Sequence, residues 1–244
     1  MEAVKHIPQV SAQAVAVKAT VSAKVLLAKK MYEVVVQPSS GEKFVDFTPG
    51  QFAMVEVAPN IKRAYSIASL PEDSGSLTFC VGTAPGGVGS KFFESLEIGD
   101  TLNLELPYGV FTVKSAEKPL LFVATGSGIA PFKAMVPDLL ANRFDRPVDL
   151  LFGVRSEADL FYAEFFANLA AQYSNFRFLA TLSQPTDAWT GSRGRVTAIL
   201  EACGDDYVNS QVYICGSKEM IMDVRKVLMA KGLPALSMKF EIFN

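Results

Sequence analysis

The chain has 244 residues, half of them apolar and 20% charged, with a formal net charge of −2. That length accommodates two small domains and a buried core, and that composition argues against disorder. A near-neutral charge leaves no electrostatic footprint for nucleic acid, and no apolar run reaches the roughly 18 residues that a membrane helix needs.

The elements follow in chain order. Met1 to Thr20 is rich in Ala and Val, but Lys5, Gln9, Gln13 and Lys18 interrupt it. It lacks the compact apolar stretch of a signal peptide, so it reads as a short tail leading into the first strand. Short β-rich runs follow at Met31–Gln37, Phe52–Val57, Leu77–Val81 and Leu102–Leu106. Turn signals separate them at Ser40-Gly41, Pro49-Gly50 and Asp73-Ser74-Gly75. Strands at that spacing predict an antiparallel barrel or sandwich. The one helix predicted in this half is Ser90–Leu96, after a Gly-rich loop.

Near residue 115 the pattern changes to alternation. Strands are predicted at Leu120–Ala124, Val148–Phe152, Phe176–Thr181, Gln211–Ile214 and Met238–Phe243. Between them fall helices from about Pro131 to Asn142, at Glu157–Tyr173 with Ser156 as N-cap, at Val196–Ala202, and at Lys218–Lys231 before Gly232 and Pro234. In the second of these helices Leu160, Phe161, Phe165 and Leu169 keep helical spacing. Strand–helix alternation predicts a parallel sheet covered on both faces. The linker is placed at Lys114–Lys118, between a barrel domain over 15–114 and an α/β domain over 119–244.

Residue counts remove several chemistries. The three cysteines, Cys80, Cys203 and Cys215, lie far apart, which fits a reducing cytoplasm better than a disulfide framework. An iron–sulfur cluster needs about four at short spacing. The single histidine, His6, rules out a histidine-built zinc site or a Ser-His-Asp triad, so no metal site is expected. Catalysis must come from a cofactor or from carboxylates.

Three segments carry binding chemistry. In Thr125-Gly126-Ser127-Gly128-Ile129-Ala130-Pro131, a buried strand turns into a helix. The glycines let backbone approach a pyrophosphate, the helix start offers unpaired N–H groups, and Pro131 suits a first-turn position. The ordinary dinucleotide fingerprint has an acid at the end of the next strand, where this chain has Gly153-Val154-Arg155. The second segment is Arg63-Ala64-Tyr65-Ser66: an Arg to clamp phosphate, a Tyr to pack on an aromatic ring, a Ser to hydrogen-bond a ring nitrogen. The third is Gly86-Gly87-Val88-Gly89-Ser90, a second Gly-rich turn into a helix. Taken singly, these segments also read as a tight turn, an edge strand and a hairpin loop.

In this order and spacing, with Cys215-Gly216 following, the motifs resemble the ferredoxin–NADP reductase superfamily from about Val15 to the last residue. The resemblance implies an N-terminal Greek-key β-barrel for FAD and a C-terminal α/β domain for NADH or NADPH. It assigns the FAD pyrophosphate to Arg63 and Ser90 within the Gly87-Val88-x-Ser90 loop, the flavin face to Tyr65, and its N5 edge to Ser66. Ala64 and Val81 join the cofactor-binding set. Thr125, Gly126, Gly128 and the helix at Pro131 are assigned to the nicotinamide nucleotide, with Gly216 beside them. Cys215 is placed at the nicotinamide, where a buried strand-end thiol is the plainer alternative.

Glu241-Ile242-Phe243 resembles the Glu-x-Tyr ending of plant-type members, with Phe243 in place of Tyr and Asn244 beyond it. The implied roles are a flavin cap for Phe243 and proton traffic for Glu241; the alternative is that both finish an edge strand. Arg155 and Arg195 stand where NADPH-using relatives place arginines on the 2′-phosphate. Ser183-Gln184 lacks a further arginine, and Gly153 to Leu160 also looks like NADH-using segments, so the balance tips to NADH. The implied activity passes a hydride from NAD(P)H to FAD and electrons to a separate ferredoxin, flavodoxin, oxygenase component or free flavin. Two alternatives stand beside it: an NAD(P)H:flavin reductase, and a non-catalytic FAD-carrying subunit of a larger complex.

Overall fold

A computed structural model describes residues 13–84, 86–114, 117–142, 144–203 and 207–243. His6, Asn244 and part of the Lys114–Lys118 linker lie outside these residues. Two compact units divide the chain. One holds Ile7–Lys114 together with Ala130–Asp138, and the other holds Ser115–Ile129 and Leu139–Asn244.

The first unit is a six-stranded antiparallel sheet. Its strands are β1 (Val15–Ala28), β2 (Met31–Pro38), β3 (Phe52–Ala58), β4 (Ile61–Ser66), β5 (Leu77–Gly82) and β6 (Thr101–Tyr108). Their spatial order is β4-β3-β6-β1-β2-β5. Strict alternation gives the sheet one buried face: on β3, Ala53, Val55 and Val57 point inward while Met54 and Glu56 stay partly exposed. An Ile67–Phe79 bridge and a 2.8 Å bond from Ala68 N–H to the Thr78 carbonyl bring the end of β4 to β5. The interior is filled by Val34, Val36, Phe47, Val55, Phe79, Leu104 and Phe93, the last supplied by helix α1 (Val88–Ser95).

One feature of this unit differs from the sequence reading: β1 begins at Val15, inside the stretch read as a tail, because Val15, Val17, Ala19 and Val21 alternate with polar or small residues along β6. Arg63 and Tyr65 follow β3 and lie within β4, an edge strand paired with it, which is the plainer alternative for that segment.

The second unit is a six-stranded sheet whose strand pairs all run parallel. Its strands are β7 (Leu120–Thr125), β8 (Val148–Val154), β9 (Phe176–Leu182), β10 (Ser192–Arg193), β11 (Gln211–Gly216) and β12 (Met238–Ile242), in the order β10-β9-β8-β7-β11-β12. Leu120–Ala124 is buried throughout, as a strand covered on both faces must be. On one face Leu121, Val123, Val212 and Ile214 pack against α4 (Val196–Ala202) and α5 (Lys218–Ala230). Helix α2 (Ala130–Ala141) follows β7, and its first nine residues group with the barrel unit, where Phe132 lies 6.0 Å from Phe111.

The segment 157–173, read as one helix, is two pieces. A short 3-10 turn at Glu157–Asp159 is separated from α3 (Ala163–Gln172) by Tyr162, whose φ is +58°. The break lets Phe161 set its ring edge-on to Phe152 of β8 at 5.5 Å and become buried. Helical spacing could not show this, because the gain is a tertiary contact. The Asp159 carboxylate ties the turn by accepting from the Ser156 N–H and hydroxyl at 3.1 and 2.7 Å.

Candidate functional site

In the barrel unit, the antiparallel pairing sets Tyr65 opposite Ala53 and Ser66 opposite Phe52. Arg63 and Ala64 are exposed, Tyr65 is half-buried and Ser66 is 4% exposed. The Tyr65 ring leans on Phe93 at 4.5 Å and meets Phe79 edge-on at 6.5 Å. Burial pushes its phenol up to about 12, against a smaller opposing pull from the Arg63 charge. Val81 faces the barrel interior and belongs to its core.

Helix α1 opens at Gly87 with no side-chain cap, so the first-turn amides stay available to a ligand. Val88 and the buried Ser90 occupy that turn. A β-carbon placed on Gly89 would come within 2.3 Å of the Tyr65 hydroxyl and 3.7 Å of Arg63 Cγ. The turn is therefore seated directly on β4. A cation, an aromatic ring and a row of free amides converge there, which is the donor set a pyrophosphate joined to an aromatic ring requires.

In the parallel unit, strand order reverses between β7 and β11: the chain runs out through β8 and β9, then returns to the other side of β7. Open α/β sheets bind ligands at the carboxyl ends of strands at such a point. Thr125 ends β7 and Cys215-Gly216 ends β11 there. The Gly126–Ile129 turn, with Gly126 at φ +53°, crosses between them. A β-carbon on Gly128 would stand 2.2 Å from the Cys215 carbonyl oxygen, so only glycine lets this turn lie on the end of β11. Pro131 is buried in the first turn of α2.

Cys215 is fully buried. Burial pushes its thiol up, and the charge of Glu241, its register partner on β12, adds to that. The neutral thiol is thus a small apolar contact rather than a nucleophile. Phe243 continues past β12 and gives its N–H to the Gly216 carbonyl at 2.9 Å. Arg155 and Arg195 are both exposed, Arg155 just past β8 and Arg195 at the start of α4.

Within each unit the residues singled out from sequence come together: Arg63, Tyr65 and the Gly87–Ser90 turn in one, Thr125, Gly128, Cys215, Gly216 and Glu241 in the other. Two neighbours escaped the sequence reading. Met220 lies over Gly216, where a β-carbon would meet its Cε at 2.6 Å. Glu157 accepts from both the N–H and the hydroxyl of Thr186, at 2.9 and 2.7 Å, and the hydroxyl bond is the main cause holding its carboxyl below the usual range. No motif marks either. Among the described residues no group of three His, Cys, Asp or Glu could hold a metal, and no helix is long and apolar enough to cross a membrane.

A curled antiparallel sheet bearing one anion turn and a parallel sheet bearing another define a two-domain flavin and nicotinamide-nucleotide oxidoreductase. The comparisons agree. Residues 18–113 match the oxidoreductase FAD-binding domain and residues 122–226 the oxidoreductase NAD-binding domain. A protein of Sorangium cellulosum named ferredoxin–NADP reductase B is 33% identical, with 87% of this chain and 91% of that protein covered. The electron transfer component of toluate 1,2-dioxygenase from Pseudomonas putida is 32% identical over 81% of this chain and 59% of its own length. An Amycolatopsis cytochrome P450 reductase crystal structure superposes with a TM-score of 0.88 at 25% identity, covering 96% of this chain and 72% of that one.

The chain belongs to the ferredoxin–NADP reductase family, and its cofactors are FAD and a nicotinamide nucleotide. It spans about three fifths of the length of the dioxygenase electron transfer components it matches.

Proposed function

We propose that this chain is a reductase that oxidises NADH or NADPH on a bound FAD and passes the electrons to a separate protein acceptor. The observation that carries this reading is the presence, in one chain, of two differently built anion turns, each set beside residues suited to its own nucleotide. When bound, the flavin supplies the change from two-electron to one-electron chemistry.

The protein residues bind and orient. Arg63, Ser90 and the α1 amides at Gly87 and Val88 hold the FAD pyrophosphate, Ala64 completes the cofactor surround, and Tyr65 supports the ring; Val81, whose side chain fills the barrel core, is left out of it. Ser66 holds a hydrogen bond near the flavin N5 position. Thr125, Gly126, Gly128, Gly216 and the start of α2 at Pro131 receive the nicotinamide nucleotide. Cys215 shapes the nicotinamide pocket as a neutral thiol, Glu241 handles a proton, and Phe243 caps the flavin. Arg155 and Arg195 flank the adenosine end, with NADH the preferred donor.

The acceptor class is a ferredoxin, a flavodoxin or an oxygenase component, and cysteines without disulfides among the described residues support a reducing cytoplasm as the compartment. The test is anaerobic stopped-flow absorbance after mixing with NADH and, separately, NADPH. Bleaching of bound flavin by either nucleotide is expected, faster with NADH. Ser66→Ala should slow that bleaching while FAD stays bound through gel filtration. Flavin that neither nucleotide bleaches overturns the reading, and an unaltered rate in Ser66→Ala removes that residue from it.

A further inference from the structure

Thr83 leaves β5 at the entry to the Gly-rich turn of the barrel unit, where it is buried and fixed at three points. Its N–H is given to the Lys30 carbonyl at 2.8 Å, and its carbonyl accepts from the Gly86 N–H at 3.1 Å. Its hydroxyl is given to the Glu94 carboxylate at 2.7 Å. Glu94 lies in the last turn of α1. The entry to the turn is thus tied to the far end of the helix that follows it. The same residue also ties that entry to the tip of the β1–β2 hairpin, where Lys30 turns the chain with φ +59°.

Lys24 ties the far end of α1 to that hairpin directly. From β1 its ammonium donates to the Glu94 carbonyl at 2.7 Å and to the Leu96 carbonyl at 2.8 Å, and it stands 4.9 Å over the Tyr32 ring of β2. The last carbonyls of a helix lack partners within it and carry its negative pole. Two of the three donors of the ammonium go to such carbonyls. Apolar packing by Phe93 and Leu96 holds α1 against the barrel core, but that attraction has no direction. Bonds to particular carbonyls do, so Lys24 and Thr83 fix where the helix points.

We propose that Lys24 and Thr83 are positioning residues for FAD, aiming the first amides of α1 at the pyrophosphate from the opposite end of the helix. This rests on the reading that the Gly87–Ser90 turn receives the pyrophosphate. Lys24 acts through the helix rather than by attracting the diphosphate itself. Eight helical residues span about 12 Å, and exposed charges are largely screened beyond about 8–10 Å. A cation at the negative pole, by contrast, favours the helix and leaves the positive pole facing the anion. A second lysine provides a matched control. Lys231 donates to the Glu201 and Cys203 carbonyls at the end of α4, at 3.1 and 3.3 Å, and no residue of α4 is assigned to FAD.

The test is FAD release from the holoenzyme on dilution, followed by flavin fluorescence, together with phosphorus NMR of the bound FAD. Lys24→Met keeps an apolar stem over Tyr32 but removes the charge and the donors, and should weaken FAD binding about tenfold. Lys24→Arg should recover most of that. Thr83→Val, nearly isosteric, should loosen FAD in the same direction, and Thr83→Ser should not. In Lys24→Met the diphosphate resonances should shift while the visible absorption band of the flavin ring stays in place. Lys231→Met should lower the melting temperature comparably and leave FAD release and the phosphorus resonances as in the parent. Unchanged release and resonances in Lys24→Met overturn the proposal, as does equal loosening of FAD by Lys231→Met; if Lys24→Met does not fold, Thr83→Val decides alone. Arg63→Ala separates this proposal from the reading beneath it. Resonances that move in Arg63→Ala but not in Lys24→Met remove the positioning role and leave the pyrophosphate at α1; resonances that move in neither remove both.

Discussion

The two anion turns solve one problem by different means. In the barrel, Gly89 is glycine because a side-chain tip, the Tyr65 hydroxyl, would otherwise lie 2.3 Å from its β-carbon. In the parallel sheet, Gly128 is glycine because backbone lies there: the Cys215 carbonyl oxygen at 2.2 Å, its carbon at 2.6 Å and the Gly216 nitrogen at 2.9 Å. A side chain can turn aside; the end of a central strand, held in a ladder on both edges, cannot. The barrel turn is thus shaped by what stands on it. The sheet turn is shaped by strand order, and its chemistry is mostly backbone.

The largest effect expected from this difference is at Gly128. Gly128→Ala forces the turn away from β11 or bends the strand, an overpacking cost near the upper end of about 1–3 kcal/mol. For a protein of this size that lowers the melting temperature by about 4–10 °C. Reduction by NADH should fall with it, because the displaced amides are those assigned to the nucleotide, while FAD remains bound. Calorimetry with stopped-flow reduction checks both. A variant that melts and turns over like the parent would mean the contact at β11 yields without cost, and the comparison would collapse.

Gly89→Ala should do less, about 1 kcal/mol in thermal melts, and it offers a rescue that Gly128 cannot. The obstacle is one hydroxyl, so Gly89→Ala combined with Tyr65→Phe should recover the loss. It could exceed the parent, since alanine is the better helix residue by about 1 kcal/mol. No side-chain deletion relieves a clash with a carbonyl. If the double variant melts no higher than Gly89→Ala alone, the turn is held by something other than the Tyr65 tip.

The same division explains what was legible in the sequence. Both turns were visible because a Gly-rich strand-to-helix or loop-to-helix turn is written in consecutive residues. The elements of the parallel unit were visible because buried strands and amphipathic helices differ in period. The seating of Gly128 on Cys215 was not, since it depends on β11 returning beside β7, a matter of topology. Nor was the seating of Gly89 under Tyr65. β1 was masked by small residues in a stretch that resembled a tail. The break at Tyr162 was hidden because Leu160, Phe161, Phe165 and Leu169 keep helical spacing on either side of a residue that leaves the helix for the sake of Phe152.

The smallest effect concerns Tyr65 and separates packing from charge within the barrel turn. Its phenol is pushed from an ordinary 10.0 up to about 12, chiefly by burial. Between those values the unfolded chain releases a proton that the folded chain keeps, so rising pH favours unfolding. The contribution is intact below about pH 10 and is lost as pH climbs toward 12. It is modest, because part of the ring reaches water and the Arg63 charge opposes the shift. Tyr207 adds to the same slope: burial, with the negative charge of Asp149, pushes its phenol up as well, and its hydroxyl bonds the Asp149 carboxylate at 3.0 Å. Tyr65→Phe is therefore the cleaner probe, since it removes a titrating group without breaking a charged hydrogen bond. Its melting temperature should fall less steeply with pH above 10 than that of the parent, and a spectrophotometric titration should lose one late-ionising phenol. Parallel slopes would mean the phenol is already as well solvated in the folded barrel as in the unfolded chain, and that the seat beneath Gly89 is open to water.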